Sequence, residues 1–328
     1  MANLFLRLKN RYNITKKAFV SDCNFSKRLA LLRIADEFSN RLGFERISNK
    51  FHSKKDDFII KYLENELSDV IDKYKGNINC GVKVNNAPIW VCWWTGIDTA
   101  PELVKQCVKS IYKNAGLHPV NFIDQNNYTQ YLDIPDYFLK KVNDTKIGLA
   151  HFADYIRVCL LQRYGGLWID STIFCSQEIP EDYFTKPFFT LKSEYRVSRY
   201  LSHYEWVTFC LGGFKENVLY SFLKEAFENY WEKEESAIDY LFFDSLIFVA
   251  KKHIPFVNEL MNSVEINTPH RDDLQQAFND RLPASEFWNV IKDDTALYKL
   301  SWRETYFEKT VDGMDSVYGY FLKDIGND

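Results

Sequence analysis

Apolar residues recur along this chain with two periods, one typical of helices and one typical of short buried strands. Between residues 89 and 123 they predict a strand, a helix and a second strand, at 89–94, 101–114 and 120–123. This order favours a parallel sheet of the nucleotide-binding kind. The other apolar segments predict strands at 167–169 and 187–191 and helices at 27–38, 56–74, 133–142, 214–235 and 238–252.

The stretch over residues 151–172 is the most informative part of the pattern. Its first half carries apolar residues at helical spacing, which predicts a helix. Asp154 and Arg157 lie three residues apart, so a carboxylate and a guanidinium project from one face of that helix.

Gly165 and Gly166 end this helix, because glycine readily adopts the left-handed conformation and lets another backbone or a ligand come close. We therefore count both among the candidate substrate-binding residues. The short apolar strand that follows ends on Asp170. The carboxyl ends of parallel strands form the ligand-binding edge of an open α/β sheet, so Asp170 is a candidate for metal or sugar contact.

These residues resemble the core of the DXD-containing sugar transferases of the capsular-polysaccharide-synthesis type. The wider relatives of that family are the yeast α-1,6-mannosyltransferases and the large clostridial toxin glucosyltransferases. In many relatives the last motif is Asp-x-Asp, whereas this chain has Thr172 in place of the second acid. The matching residues are Ala153, Asp154, Arg157, Gly165, Gly166, Trp168, Asp170 and Thr172.

The resemblance implies an α/β fold of the GT-A type, with a mostly parallel central sheet flanked by helices and a helical N-terminal extension. It implies that Asp154 and Arg157 hold the donor sugar. It also implies a divalent metal, Mn²⁺ or Mg²⁺, at Asp170 and Thr172, since hard cations prefer oxygen ligands. Asp293 and Asp294 are candidates for the missing carboxylate.

Two flanking motifs extend the resemblance over roughly residues 88 to 303. In IWVCWWTG it places Trp94 against the nucleobase, with Trp93 as the second choice. In YKLSW it implies that Ser301 and Trp302 donate hydrogen bonds to the departing diphosphate, and that Lys299 adds a positive charge.

The acceptor side is predicted from residues in the later helices. Asp244 and Asp239 lie on a mostly apolar helix and are candidate acceptor-binding acids, and the segment 210–214 includes Gly212 and Gly213, where an acceptor loop could approach. His151, at a helix start, is more typical of a cap or core residue than of a catalytic base.

Composition excludes several other classes. The net charge of −4 argues against a nucleic-acid-binding protein. The seven scattered cysteines, without a CxxC pair, favour reduced thiols in a cytosolic protein. No apolar run has the length of a signal peptide or a membrane span, so we expect a soluble, cytoplasmic protein.

Charge is distributed unevenly between the two ends of the chain. Residues 1–55 carry 13 Lys and Arg against 4 Asp and Glu, about +9, which leaves about −13 for the rest. We divide the chain into a basic helical extension, 1–78, and a GT-A domain, 79–328. The extension packs on the domain as a helical cap, or contacts an anionic membrane, or does both.

The sequence thus favours a transferase that moves a hexose from a UDP-sugar, or less readily a GDP-sugar, to a growing bacterial capsular or exopolysaccharide unit. The resemblance implies retention of configuration, an α-linkage, and an acceptor linked to undecaprenyl diphosphate at the inner membrane face. The alternatives are a toxin-like transferase acting on protein, a silent sugar-nucleotide-binding scaffold and a metal phosphohydrolase, for which no His-rich cluster is present.

Overall fold

The computed structural model describes residues 22–281 and 290–324. The first elements are α1 (Lys27–Arg41), α2 (Glu45–Glu66), α3 (Ser68–Tyr74), β1 (Ile89–Cys92), α4 (Glu102–Lys113), β2 (Val120–Ile123), α5 (Asp136–Asn143) and α6 (Leu149–Tyr164). They are followed by β3 (Gly166–Ile169), β4 (Ile173–Cys175), β5 (Phe188–Thr190), β6 (Cys210–Gly213), α7 (Val218–Lys233), α8 (Phe242–His253), α9 (Pro255–Asn262), α10 (Asp273–Ala277), β7 (Leu297–Lys299) and α11 (Val317–Asp324).

Five strands form the central sheet in the order β2-β1-β3-β6-β5. β1 pairs in parallel with both β2 and β3, whereas β6 runs antiparallel to β3 and β5. Four of the five strands therefore point in one direction. This arrangement, flanked by helices and preceded by a helical region, confirms the predicted α/β class and its mostly parallel sheet.

The two faces of the sheet are covered by separate apolar clusters, as alternation along the strands requires. Trp90 and Trp168 lie in a large cluster with α6, α7 and α8. Ile89, Leu167 and Ile169 lie on the opposite face, packed with residues of α4. Because both faces are buried, the central strands β1 and β3 carry no polar side chains apart from the thiol of Cys92.

The N-terminal helices belong to the same body as the sheet. Leu29, Leu63 and Val70, from α1, α2 and α3, are part of the large cluster that contains α7 and α8. The segment predicted as one helix over 56–74 is two helices, and the first begins at Glu45 and ends before Leu67. Among the described residues, no helix has both the length and the apolar character needed to cross a membrane.

Gly212 and Gly213, where an acceptor loop was expected to approach, form β6 inside the sheet, between β3 and β5. The reason for the glycines is steric. A Cβ on Gly212 would lie 2.9 Å from Leu167 Cδ1, and one on Gly213 would lie 2.3 Å from the carbonyl oxygen of Pro187. Glycine is favoured both in loops and in strands where another backbone comes close, so the two cases look alike in the sequence. Only the strand pairing seen in the structure distinguishes them.

A second, two-stranded sheet lies beside the central one. β4 pairs antiparallel with β7, so that Ile173 faces Lys299. Phe174 and Tyr298, one from each strand, pack with Leu103 of α4 and Phe321 of α11. Neither strand was predicted, since three residues carry too little pattern to be recognised alone.

Gly166 provides a test of the packing at the start of β3. Its φ is +94°, and a Cβ there would lie 2.0 Å from the carbonyl oxygen of Pro88. We expect Gly166→Ala to lower the free energy of unfolding by more than about 2 kcal/mol, since strain and a backbone clash add together. Urea unfolding measures this. Gly148→Ala is the matched control, because Gly148 has φ −69° and open space around its Cα; an equal loss in both variants would contradict the packing described here.

Candidate active site

Arg157 is the centre of a charged cluster at the carboxyl end of β3. Its Nη1 lies 3.2 Å from Asp154 Oδ1 and its Nη2 lies 3.0 Å from Asp170 Oδ1. It also donates to the carbonyl oxygen of Thr208, and its guanidinium lies 4.7 Å from the ring of Trp168. The structure thus brings together the three charged residues that the sequence singled out.

The burial of Arg157 changes its expected role. The residue is only 5 % exposed, and protein oxygens accept from its Nη1 and Nη2, whereas its buried Nε has no hydrogen-bond partner in the described part of the chain. These contacts point to a positioning role for Arg157, and its direct contact with a sugar, which the resemblance implied, stays a prediction. Arg157 fixes the orientation of Asp154 and Asp170, whose side chains are 19 % and 28 % exposed.

Asp170 is surrounded by hydrogen-bond donors. Its Oδ1 accepts from Arg157 and, at 2.8 Å, from Trp168 Nε1, and its Oδ2 lies 3.3 Å from Lys299 Nζ. Burial acts to raise the pKa of Asp170, but the charges of Lys299 and Arg157 and the hydrogen bond from Trp168 outweigh it. The pKa of this carboxyl therefore lies below its usual value, and Asp170 is ionised at neutral pH.

Lys299 reaches this cluster from a distant part of the chain. The β4–β7 ladder sets its backbone opposite Ile173, and its N–H donates to the carbonyl oxygen of Arg271 at 2.8 Å. Its Nζ donates to Thr172 Oγ1 at 2.8 Å and lies 4.6 Å from the ring centre of Phe209. Lys299 was expected as an extra cation; its contact with the acidic motif itself was not.

The side chains around Asp170 do not resemble a metal site built from two carboxylates. The described residues contain no group of three His, Cys, Asp or Glu side chains arranged to hold a metal. Asp170 and Thr172 are brought together, but the ammonium of Lys299 contacts both of them. The Mn²⁺ or Mg²⁺ implied by the resemblance remains a prediction, and these residues fit it poorly.

The candidates for a missing carboxylate lie elsewhere. The carbonyl oxygen of Asp293 accepts from Gln177 Nε2 at 3.0 Å, beyond the far end of β4, and Asp294 Oδ2 lies 3.9 Å from His270 Nε2. Asp239, a candidate acceptor-binding acid, forms ion pairs with Arg33 at 3.0 Å and Lys55 at 3.7 Å, and its acceptor role stays a prediction.

Two further acids contribute to the electrostatics of the cluster. Burial raises the pKa of Asp154 to about 7, against the opposing charge of Arg157, and the charges of Asp170 and Asp244 add to the increase. Burial likewise raises the pKa of Asp244 to about 6, although Trp206 Nε1 donates to its Oδ1 at 3.1 Å. Asp244 therefore lies within electrostatic reach of the cluster, which suits its predicted place beside the acceptor.

The two neighbouring tryptophans after β1 point to different sides. Trp93 packs edge-on against Trp302, with ring centres 5.7 Å apart, so the predicted base-stacking and leaving-group elements meet there. Trp94 packs instead against Tyr128 and Phe152. The structure thus places Trp93, the second choice from the sequence, beside Trp302, which is 43 % exposed. Ser301 adjoins it, and its Oγ accepts from the N–H of Arg303 at 3.3 Å.

Gly165 and Gly166 are not part of this site. They lie at the amino end of β3, on the opposite edge of the sheet from Asp170. A Cβ on Gly165 would lie 2.7 Å from the backbone N of Lys215, and one on Gly166 would meet Pro88. Protein backbone already occupies the space that their missing side chains leave, and their substrate-binding role stays a prediction.

Sequence patterns missed three residues around Lys299 and Arg157. The carbonyl oxygen of Phe209 accepts from the N–H of Asp170 at 2.9 Å, and its ring contacts Lys299. Arg271 is buried, and its guanidinium lies 5.7 Å from the same ring. Phe243 covers the guanidinium of Arg157 at 5.5 Å. No motif marks these residues; their proximity comes from strand pairing and packing.

The fold and the site together define an α/β protein with a solvent-accessible charged cluster at the carboxyl edge of a mostly parallel sheet. The family model of capsular polysaccharide synthesis proteins matches residues 39–321. The chain belongs to this family.

Among solved structures, the chain is similar to one described as PaToxG Glycosyltransferase. The identity is 15 %, the TM-score is 0.35, and the match covers 66 % of this chain and 84 % of the other. No match was found among curated proteins.

The raised pKa of Asp154 predicts a pH dependence of stability. Between about pH 4 and pH 7 the folded state keeps a proton on Asp154 that the unfolded chain has lost, so the free energy of unfolding falls as the pH rises through this range. Asp154→Asn cannot titrate, and we expect a shallower fall in urea unfolding measured at several pH values. Asp133→Asn, at a side chain that is 99 % exposed, is the control. A wild-type slope in Asp154→Asn would show that this carboxyl does not titrate near neutrality.

Proposed function

We propose that this protein is a glycosyltransferase that moves a hexose from a nucleotide sugar, UDP-hexose first and GDP-hexose second, to a growing capsular or exopolysaccharide oligosaccharide. The family match supports a role in capsule synthesis. The single observation that carries the proposal is the cluster of Asp154, Arg157 and Asp170 at the carboxyl edge of β3, with Lys299 beside it.

The site offers the groups that a nucleotide diphosphate sugar needs. Carboxylate oxygens accept hydrogen bonds from sugar hydroxyls, and Asp154 and Asp170 present such oxygens with partial access to solvent. Lys299 carries a positive charge for the diphosphate. Trp93 and Trp302 offer aromatic surface for the base, because rings stack on bases without needing a particular hydrogen bond.

A cavity of about 300 Å³ that Trp302 helps to line supports the assignment of the diphosphate to Lys299. Its lining includes Glu102 and Glu304, so it repels a diphosphate and favours hydroxyl or amino groups. We therefore assign the phosphates of the donor to the site beside Lys299, outside this cavity.

In the proposed transfer, the bond between the anomeric carbon and the β-phosphate oxygen breaks and its electron pair stays on the nucleoside diphosphate. The acceptor hydroxyl oxygen forms the new bond, and its proton passes to the departing diphosphate. Donors from Ser301, Trp302 and Lys299 stabilise the charge that develops on the leaving group. Asp170 and Asp154 orient the sugar, and Arg157 holds both acids in place. Retention of configuration, giving an α-linkage, is part of this proposal.

The acceptor we propose is an oligosaccharide linked to undecaprenyl diphosphate. A lipid-linked acceptor requires the protein to work at a membrane surface. Exposed apolar side chains on α1 and on the turn into α2 support such a contact: Leu31, Ile34, Phe38, Leu42, Phe44 and Ile47. Exposed basic residues lie among them, including Lys27, Arg28, Arg46 and Lys50. Apolar residues bordered by positive charge match the chemistry of an anionic lipid surface.

Donor hydrolysis tests the proposed activity. We expect wild-type protein to release UDP or GDP slowly from one of a set of UDP- and GDP-hexoses, measured by a coupled nucleotide assay with Mn²⁺ and with EDTA. Asp170→Asn keeps the shape of the side chain but loses its charge, and we expect a fall in rate of about 100-fold or more.

Asp133→Asn serves as the matched control, because it removes an exposed carboxyl far along the chain from the cluster. Donor binding without turnover by wild-type protein would favour the scaffold alternative. Full activity in a folded Asp170→Asn variant would show that the charge of Asp170 is not needed for the reaction.

Vesicle sedimentation tests the membrane contact. We expect the full chain to bind phosphatidylglycerol vesicles at low salt more strongly than phosphatidylcholine vesicles, because each basic residue near an anionic surface contributes about 1 kcal/mol. Replacing Leu31 and Phe38 together by Gln should weaken this binding. Leu117→Gln changes an 84 % exposed leucine elsewhere and should leave it intact. Equal binding by all three proteins would place the lipid contact outside α1.

A further inference from the structure

The ammonium group of Lys299 occupies the position between the two residues that correspond to the acidic motif. Its Nζ lies 3.3 Å from Asp170 Oδ2 and 2.8 Å from Thr172 Oγ1. Lys299 thus contacts Oδ2 of Asp170, whereas Arg157 donates to Oδ1 of the same carboxylate.

The chemistry of the motif favours this ammonium over a divalent cation. Asp170 is the only carboxylate of the Asp170-Ser171-Thr172 segment. Both of its oxygens already accept from charged or N–H donors. A divalent ion bound there would have to displace these donors or sit beside the positive charges of Lys299 and Arg157, which repel it.

The geometry also leaves Lys299 able to bind an anion. An ammonium group has three donor protons, and Asp170 and Thr172 use two of them. The side chain is 26 % exposed, so its remaining proton is accessible to a phosphate oxygen.

The backbone fixes this charge next to the other predicted phosphate contacts. Lys299 is the last residue of β7, and the N–H of Leu300 donates to the carbonyl oxygen of Thr172 at 2.9 Å. Ser301 and Trp302 follow directly. The cation and the leaving-group donors therefore come from one short segment that is hydrogen-bonded to the acidic motif.

We propose that Lys299 supplies the positive charge that binds the donor's diphosphate, in place of a divalent cation, so that nucleotide binding and transfer do not require a metal. This inference rests on the proposed use of a nucleotide diphosphate sugar. Lys299 then contacts the phosphate oxygens directly, while Thr172 and Asp170 hold its ammonium group in position.

Calorimetric binding of UDP and GDP to the full chain, in EDTA and in Mn²⁺, tests the proposal without relying on turnover. We expect wild-type protein to bind at least one of them with a Kd that Mn²⁺ changes by less than about threefold. Lys299→Met, which keeps most of the apolar length but loses the charge, should raise that Kd about tenfold or more. Lys299→Arg should recover part of the affinity, since it restores a cation.

Lys309→Met is the matched control, because it removes a lysine whose side chain is 63 % exposed and should bind as wild type does. A wild-type Kd that rises about tenfold in EDTA would overturn the proposal and leave the glycosyltransferase function standing. A folded Lys299→Met variant with wild-type affinity would also overturn it. Failure of wild-type protein to bind either nucleotide in both conditions would overturn the proposed function as well. The comparison of wild type in EDTA and Mn²⁺ decides the question even if Lys299→Met does not fold.

Discussion

The structure of this site depends on one buried guanidinium. Arg157 joins Asp154 on its own helix to Asp170 at the end of β3, and it holds the carbonyl of Thr208 from the loop before β6. A buried cation without partners is strongly unfavourable, and loss of either acid would remove one of the two carboxylates that offset the charge of Arg157. The ion-pair network therefore holds a helix, a strand and a loop in one arrangement, and it places the two acids at the sheet edge.

Close backbone packing at the other end of β3 makes this arrangement possible. Gly165 ends α6 with φ +67°, and Gly166 lets β3 pass against Pro88. Gly212 and Gly213, in the neighbouring strand β6, allow an equally close approach to Leu167 of β3 and to Pro187. Four glycines that resemble ligand-binding loops in the sequence are thus used to bring strands together. The ligand edge is formed by side chains at the opposite end.

The charge balance of the site supports the proposed ligand. Asp170 is ionised and lies between two cations, whereas burial raises the pKa of Asp154 to about 7. Lys299 and the guanidinium of Arg271, which also pairs with Asp272 at 3.4 Å, lie against the ring of Phe209. Such a site accommodates an anion together with the hydroxyl groups of a sugar. This is the combination that a nucleotide diphosphate sugar presents, and it agrees with membership of the capsule-synthesis family.

The sequence by itself determined what depends on neighbouring residues: helices and strands with a clear period, the pairing of Asp154 with Arg157, and the family motif ending at Asp170. Only the tertiary structure decided which tryptophan meets Trp302, that Gly212 lies in a strand, and that Lys299 reaches Asp170 from 129 residues away. The physical reason is that these features arise from pairing between distant strands. Local periodicity carries no record of which strands meet, so the charge beside the acidic motif is visible only after the chain has folded.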